Sequence, residues 1–202
     1  MRIRHIIKAL KNDMERECNM LEEDKIVLHN SSDDEIWDLY DQNRMITGRK
    51  HRRGDPLEKG EYHLVVHLCI FNSKNQLLIQ RRQPWKKKWP GLWDLTVGGS
   101  AVSGDNSQSA AMRETREELG LEIDLRGIRP HFTINFDSGF DDYYFITKDI
   151  DISQLTLQES EVAEVKWVDK EELLELAAEG EMIQYFFLDK IFDIKNQYGI
   201  FA

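Results

Sequence analysis

The segment "NSQSAAMRETREELG" constrains this chain more than any other, because it predicts a helix with acids crowded at its end. The first residue is a typical N-cap and the last is a typical C-terminal glycine. Glu114, Glu117 and Glu118 fall within an arc of about 100° on that helix. Like charges at this spacing repel by roughly 0.2–0.5 kcal/mol per pair, and the helix dipole adds to the cost. A chain selected only for stability would place lysines there.

A buried face lies next to these acids. Ala111, Met112, Thr115 and Leu119 share the neighbouring arc of the same helix, so one side is expected to pack on the domain. Carboxylate oxygens are the preferred ligands of hard cations such as Mg²⁺ and Mn²⁺. Spacing alone leaves two alternatives open, which are a cation site and a solvated acidic face.

Strand-like and helix-like segments are interleaved along the rest of the chain, which predicts an α/β fold with a mixed sheet between helices. The strand candidates are "IWDLY" and "MITG", the hairpin "YHLVVHLCIFNSKNQLLIQRR", then "GLWDLTVGGS", "HFTINF", "YYFI" and "EVAEVKWV". Two further helices are predicted in "DKEELLELAAEG" and "EMIQYFFLDKIFDIKNQYG". No regular repetition of a barrel is present.

The chain of 202 residues suits one domain with an appended segment. We expect a helical N-terminal extension over residues 1–32 and the main domain over residues 33–202. The extension carries an apolar stripe at helical spacing, formed by Ile3, Ile6, Ile7, Leu10, Met14 and Leu21. Such a helix would pack on the domain or on a dimer partner, so a homodimer is one expectation.

Charge and cysteine content narrow the class of protein. The formal net charge of -10 argues against nucleic-acid and membrane-surface partners, which usually select basic domains. Only Cys18 and Cys69 are present, without the spacing of a disulfide framework or a zinc site. No apolar run reaches the roughly 18 residues of a transmembrane helix. We therefore expect a cytoplasmic protein with no nucleic-acid and no membrane partner.

The segment "GSAVSGDNSQSAAMRETREELGL" resembles the signature of the Nudix family. That pattern runs Gly, five residues, Glu, seven residues, Arg-Glu, a bulky aliphatic, any residue, Glu-Glu, any residue, Gly, aliphatic. The residues that match it are Gly99, Arg113, Glu114, Glu117, Glu118, Gly120 and Leu121. Asp105 stands where the family has Glu, and Thr115 where it has a bulky aliphatic. The resemblance implies a Nudix-type α/β/α sandwich with a mixed β-sheet.

The resemblance also implies a metal-dependent hydrolase that cleaves a diphosphate linkage. Carried over residue by residue, Glu114, Glu117 and Glu118 would hold Mg²⁺ or Mn²⁺, joined by the backbone carbonyl of Gly99. Arg113 would orient these carboxylates. The substrate would be a small-molecule diphosphate.

The general base stays open between several acids. Glu117 or Glu118 could take a proton from a water molecule held by the cation. Glu161, in the loop "LQESEVAE", lies where many relatives carry a catalytic acid. An exposed loop acid is the alternative for Glu161.

Positive charge is concentrated beside the presumed site, which suits an anionic substrate. Arg81 and Arg82 end the segment "LLIQRR", and Lys86 begins a lysine run after it. Arginine binds phosphate in a bidentate manner, and Trp93 is a candidate for stacking on a base. A nucleoside diphosphate derivative is the expected substrate, and other organic diphosphates are left open. The alternative for the basic residues is a solvated loop, and the alternative for Trp93 is core packing.

The flanking strands are similar to those of type I isopentenyl diphosphate isomerase, a relative within the Nudix superfamily. In the stretch "VGGSA", however, Gly98 stands for the isomerase cysteine and Ser100 for its metal-binding histidine. Cys69 lies inside an apolar strand and is expected to be a core residue. His63 and His67 share one strand face, as parts of a pocket or as buried structural residues. A hydrolase is thus favoured over an isomerase, and a non-catalytic nucleotide-binding module is the third hypothesis.

Overall fold

The computed structural model describes residues 34–195 of the chain. In that range the strands are β1 (Ile36–Tyr40), β2 (Ile46–Arg52), β3 (His63–Phe71), β4 (Leu77–Arg82), β5 (Trp93–Asp94), β6 (Val97–Ser100), β7 (Phe132–Phe136), β8 (Gly139–Thr147) and β9 (Val162–Val168). The helices are α1 (Ser107–Leu119), α2 (Lys170–Ala178) and α3 (Ile191–Ile194), with short 3₁₀ turns at Ile152–Gln154 and Leu188–Lys190. The predicted extension, residues 1–32, lies outside the described residues.

Seven strands form one mixed sheet, as the interleaved pattern predicts. Its order is β5-β4-β3-β8-β7, with β6 also paired to β3 and β9 also paired to β4. Strands β3 and β8 run parallel along their whole length, while the other pairs in this sheet are antiparallel. Strand β3 is buried on both faces, which explains its nearly continuous apolar sequence.

Helices cover the two faces of this sheet, giving the α/β/α arrangement that the resemblance implied. Alternate residues of β3 point to opposite faces, so that Val66 and Leu68 pack with Ala110 and Leu119 of α1. Cys69 and Phe71 belong to the second core, together with α2 and α3. Cys69 is fully buried there, as its apolar strand predicted. The first core therefore fixes the position of α1 relative to the sheet, and the second fixes that of α2 and α3.

A separate hairpin of β1 and β2 braces the loop that leads into α1. Asp38 accepts hydrogen bonds from the Ser103 hydroxyl at 3.0 Å and from the Gly104 amide at 2.7 Å. The Ser103 amide also donates to the Ile36 carbonyl at 2.7 Å. This hairpin thus fixes where α1 begins.

The continuous final helix predicted from "EMIQYFFLDKIFDIKNQYG" is wrong for its first half. Residues 181–187 are not helical, and within the described range only the 3₁₀ turn and α3 follow them. The Trp93 amide donates to the Glu181 carbonyl, and the Ile183 amide donates to the Trp93 carbonyl, both within 2.9 Å. This chain segment pairs with β5 instead of with itself, so tertiary hydrogen bonds override helix propensity.

None of the helices in residues 34–195 combines the length and apolar character that crossing a bilayer demands.

Candidate active site

Helix α1 carries the acids and has well-formed ends. The Asn106 side chain accepts from the Ser109 amide at 2.9 Å, and the Ser109 hydroxyl accepts from the Asn106 amide, so both members of a capping box are present. Gly120 ends the helix in the left-handed conformation, with φ of 64°. Both predicted caps are confirmed, and they fix the register in which the glutamates face the sheet.

Glu118 lies in the last turn of α1 and is buried, at 5% exposure. Its Oε2 accepts a hydrogen bond from Gln80 Nε2 of strand β4 at 2.9 Å. Burial raises the pKa of Glu118 well above its ordinary value, and the charge of Glu114 adds to this effect. Glu118 is therefore a carboxylate whose charge the protein stabilises poorly.

Glu114 approaches the sheet one turn earlier, at Gly99 of β6. A Cβ added to Gly99 would lie 2.2 Å from the Glu114 carboxyl carbon, so only glycine leaves room for this carboxylate. Burial raises the pKa of Glu114 to about 7, while Arg113 acts in the opposite direction. The side chain thus reaches the strand where the Gly99 carbonyl was predicted to join the metal ligands.

Arg113 ties the glutamates to the loop before the helix. Its guanidinium donates to Asp105, Glu114 and Glu117, each at 3.0 Å. It also donates to the Ser100 carbonyl at 3.0 Å. Burial opposes its charge, but the three carboxylates outweigh that and raise the pKa of Arg113 above its ordinary value. This arrangement supports the orienting role predicted for Arg113.

Glu117 lies on the open side of this group, with 44% of its side chain exposed. As the side chains stand in residues 34–195, no three His, Cys, Asp or Glu residues are gathered tightly enough to hold an ion. The donor set nevertheless fits Mg²⁺ or Mn²⁺: it consists of oxygens, Glu118 is buried and Glu114 largely so, and the absence of a side chain at Gly99 makes room for the Glu114 carboxylate. Of the predicted ligands, Gly99 and Glu114 lie against each other, and Glu114 is near enough to Glu118 for its charge to raise the pKa of Glu118. Their metal role stays a prediction.

The two departures from the family signature are both accommodated. Asp105 accepts hydrogen bonds from Arg113 at 3.0 Å and from the Ser109 hydroxyl at 2.9 Å. Thr115 is fully buried, and its hydroxyl donates to the Ala111 carbonyl at 2.6 Å. A shorter acid and a smaller packing residue are therefore satisfied by local hydrogen bonds.

The predicted basic residues lie at the end of β4 and in the loop after it, and they differ in their surroundings. Arg82 faces inward, with its side chain 17% exposed and its guanidinium 3.5 Å from Asp94, while Arg81 is 45% exposed. Lys86 forms an ion pair with Glu161, and both side chains are largely buried. The structure thus brings the predicted phosphate ligand Lys86 against the predicted catalytic acid Glu161.

Trp93 is buried in the core rather than open beside the glutamates. Its ring has the Lys166 ammonium at 4.7 Å and the Arg81 guanidinium at 5.8 Å. It belongs to the core cluster that includes residues of α2 and α3. Packing accounts for its burial, and its predicted contact with substrate stays a prediction.

A buried polar network on the opposite sheet face was missed by sequence reasoning. His67 Nδ1 lies 2.7 Å from Asp141, and its Nε2 lies 3.3 Å from the Tyr185 hydroxyl, which donates to Asp94 at 2.6 Å. The His67 ring also fills the space over Gly98, where an added Cβ would be 2.7 Å from it. Burial opposes the charge of His67, but Asp141 outweighs it and raises the pKa of His67.

The surroundings of His63 and His67 favour one of the two alternatives for the strand histidines, that of buried structural residues. His63 is buried, with its ring stacked on Trp37 at 4.3 Å, and burial together with Lys88 lowers the pKa of His63 to about 4. Both histidines are thus buried, which favours a structural role. The position that corresponds to the isomerase cysteine, Gly98, is occupied from the neighbouring strand by His67 and has no room for a larger side chain.

Comparison with known proteins agrees with this geometry. The family model for the NUDIX domain matches residues 61–189, which is more than half of the chain. A protein from Listeria monocytogenes described as an uncharacterized Nudix hydrolase is 56% identical over 162 residues, covering 80% of this chain and 96% of that protein.

Solved structures and isomerases give two further comparisons. The crystal structure of DR0079 from Deinococcus radiodurans matches with a TM-score of 0.64 and 27% identity, covering 81% of this chain and all of that one. An isopentenyl-diphosphate Delta-isomerase from Salmonella heidelberg is 43% identical over 72 residues, but these cover only 35% of this chain and 40% of the isomerase. The similarity to isomerases is thus confined to a short region, whereas the domain match and the Listeria relative extend across the fold, and the chain belongs to the Nudix hydrolase family.

Proposed function

We propose that this Nudix hydrolase cleaves the diphosphate linkage of a nucleoside diphosphate derivative, with Mg²⁺ or Mn²⁺ as its cofactor. The observation that carries the proposal is that the buried carboxylate of Glu118 and the largely buried one of Glu114, which lies against Gly99, act on each other electrostatically. Two carboxylates in a site of low dielectric repel each other strongly. A divalent cation bound between them would convert that repulsion into binding energy.

The residues of this chain divide the remaining tasks. Glu114, Glu118 and the Gly99 carbonyl would hold the cation, and Glu117 would complete the set from its open side. When bound, the cation neutralises the diphosphate oxygens, lowers the pKa of a water molecule and stabilises the leaving phosphate. Arg113 bridges and orients two of the glutamates through its hydrogen bonds to Glu114 and Glu117.

Two acids are placed to take the proton from the attacking water. Glu117 is the more accessible of the acids on α1 and keeps one oxygen free of its hydrogen bond to Arg113. Glu161 lies near Glu118, since its charge helps to raise the pKa of Glu118, but it is paired with Lys86. A phosphate group that binds Lys86 would release Glu161 for this role.

Substrate contact is assigned to the basic residues of the β4 end and its loop. Arg82 is held by the Lys88 carbonyl at 3.2 Å and by Asp94, so its guanidinium is oriented before substrate binds. Arg81 and Lys86 add positive charge on either side. These groups would recognise the diphosphate and not the group attached to it, so the phosphate-release screen has to include other organic diphosphates.

The isomerase alternative is disfavoured at two positions. Gly98 and Ser100 stand where that chemistry requires a cysteine and a histidine, and Cys69 is fully buried in the core. The position of the isomerase cysteine therefore has no acidic side chain that could protonate a substrate carbon.

The test is a phosphate-release screen with Mg²⁺ or Mn²⁺ against nucleotide sugars, dinucleotide polyphosphates, nucleoside di- and triphosphates and isopentenyl diphosphate. We expect one nucleotide class to be cleaved, and Glu118→Gln to lose roughly 10²-fold or more of the rate. Glu175→Gln removes an exposed acid of α2 and serves as the matched control. An unchanged rate in Glu118→Gln would contradict the metal role, and exclusive cleavage of isopentenyl diphosphate would contradict the nucleotide assignment.

A further inference from the structure

Gln80 is a buried amide in a strand that is otherwise apolar at this depth. It follows Leu77, Leu78 and Ile79, all fully buried, and is itself only 2% exposed. Its Nε2 donates to Glu118, but its Oε1 has no hydrogen-bond partner among the described residues. A buried carbonyl oxygen left without a donor costs about 1–3 kcal/mol, so such groups call for an explanation.

Both ends of the contact between Gln80 and Glu118 are fixed by the fold. The backbone of Gln80 is paired with Val165 of β9 on one side and with Asp94 of β5 on the other. The carbonyl of Glu118 accepts from the Gln158 amide at 2.9 Å, at the capped end of α1. The side-chain amide of Gln80 and the carboxylate of Glu118 therefore meet because both residues belong to backbone segments that the fold holds in place.

The chemistry of an amide suits a carboxylate that has to bind a cation. A lysine or arginine at position 80 would neutralise Glu118 and compete with the cation, while an acid would add a further repulsive charge. The amide of Gln80 donates to one oxygen of Glu118 without changing the charge of the site, and it leaves the other oxygen free. It also brings a carbonyl oxygen into the same place, which can accept a hydrogen bond from a water molecule.

We propose that Gln80 is a positioning residue for the cation site: Nε2 fixes the Glu118 carboxylate in its ligating orientation, and Oε1 accepts a hydrogen bond from a water molecule that accompanies the cation. This assignment rests on the proposed metal role of Glu118. It explains the unpartnered oxygen, because the donor for Oε1 arrives with the ion. Groups that orient metal ligands in this way typically contribute 10–100-fold to metal affinity.

The experiment measures Mn²⁺ binding directly, by titrating the protein and following free Mn²⁺ by electron paramagnetic resonance without any substrate. Gln80→Met keeps an unbranched side chain but removes both the donor and the acceptor. We expect its Kd for Mn²⁺ to rise about 10–100-fold, while KM at saturating metal changes less than about twofold. Thr96→Val is the matched control, because it removes a buried hydroxyl that binds the backbone of Ile70 and Leu78 in the same sheet.

A second variant, Gln80→Leu, is measured in parallel so that poor folding of one variant does not decide the result. Circular dichroism in chelator establishes that each variant is folded. A Kd for Mn²⁺ within about twofold of wild type in the folded variants, or an equal loss in Thr96→Val, overturns the positioning role. If the wild type binds Mn²⁺ but cleaves none of the substrates, the proposed function fails. The Kd values for Mn²⁺ of the Gln80 variants still test the positioning role, because they are measured without substrate. A wild type that binds no Mn²⁺ overturns both.

Discussion

Glu118→Gln is expected to stabilise the metal-free protein while it abolishes activity. Glu118 is buried and Glu114 largely so, and loss of hydration is the main reason why the pKa of each carboxyl is raised in the folded state. An acid with a higher pKa in the folded than in the unfolded state keeps its proton longer in the folded state. The free energy of unfolding therefore falls as the pH rises between the two pKa values.

The magnitude follows from Glu114. Its pKa rises from 4.5 to about 7 in the folded protein, and this difference corresponds to a loss of about 3 kcal/mol once the pH exceeds the higher value. Glu118→Gln removes one of the two buried charges, and its amide oxygen can still accept from Gln80. We expect a gain of about 1–3 kcal/mol near pH 8, or a melting temperature higher by about 3–10 °C.

The assay is thermal unfolding followed by circular dichroism, in chelator, at about pH 5 and pH 8. The gain should be present at the higher pH and largely absent at the lower one, where the carboxyls of the wild type are mostly protonated. Addition of Mg²⁺ should then raise the melting temperature of the wild type but not of Glu118→Gln, because only the wild type retains the full ligand set. Equal stability of the two proteins at pH 8, or a gain independent of pH, would refute the argument from buried repulsion.

Three further substitutions test the site. Gly99→Ala should displace the carboxylate of Glu114, since the new Cβ would lie 2.2 Å from its carboxyl carbon, and so weaken Mn²⁺ binding by about tenfold or more; unchanged binding in a titration would contradict the close approach. Arg82→Ala should raise KM about tenfold, more than it lowers kcat, and steady-state kinetics with both constants unchanged would remove it from the substrate site. Asp105→Glu should keep its contact with Arg113 but strain that with Ser109, leaving kcat within about fivefold of wild type, and a complete loss of activity would show that the shorter acid is required.

Local patterns in the sequence were sufficient for α1 and its acids. The capping residues, the spacing of the glutamates and the apolar arc all lie within about four helical turns, so each could be recognised without knowing the fold. The final segment shows the limit of such patterns. Residues 181–187 have a helical apolar spacing, yet they are not helical because their backbone pairs with Trp93 of β5.

The contacts that hold the site and the strands beside it join residues far apart in the chain. Gln80 of strand β4 meets Glu118 of helix α1, and Lys86 meets Glu161 from another loop. His67 reaches over Gly98 because β3 and β6 are paired in that register. The sequence offers no signal for these pairs, since a polar residue in a buried strand looks the same whether its partner is a glutamate or a water molecule.

By itself, the sequence determined the class of fold, the helix that bears the glutamates and the family to which the chain belongs, because those depend on residues at fixed short spacings. Only the tertiary structure decided which acids are buried, which arginine faces inward, and that an amide on β4 anchors Glu118. The physical reason is that burial and the resulting pKa changes depend on the whole surroundings of a charge, and those surroundings are assembled from strands and loops distant in sequence.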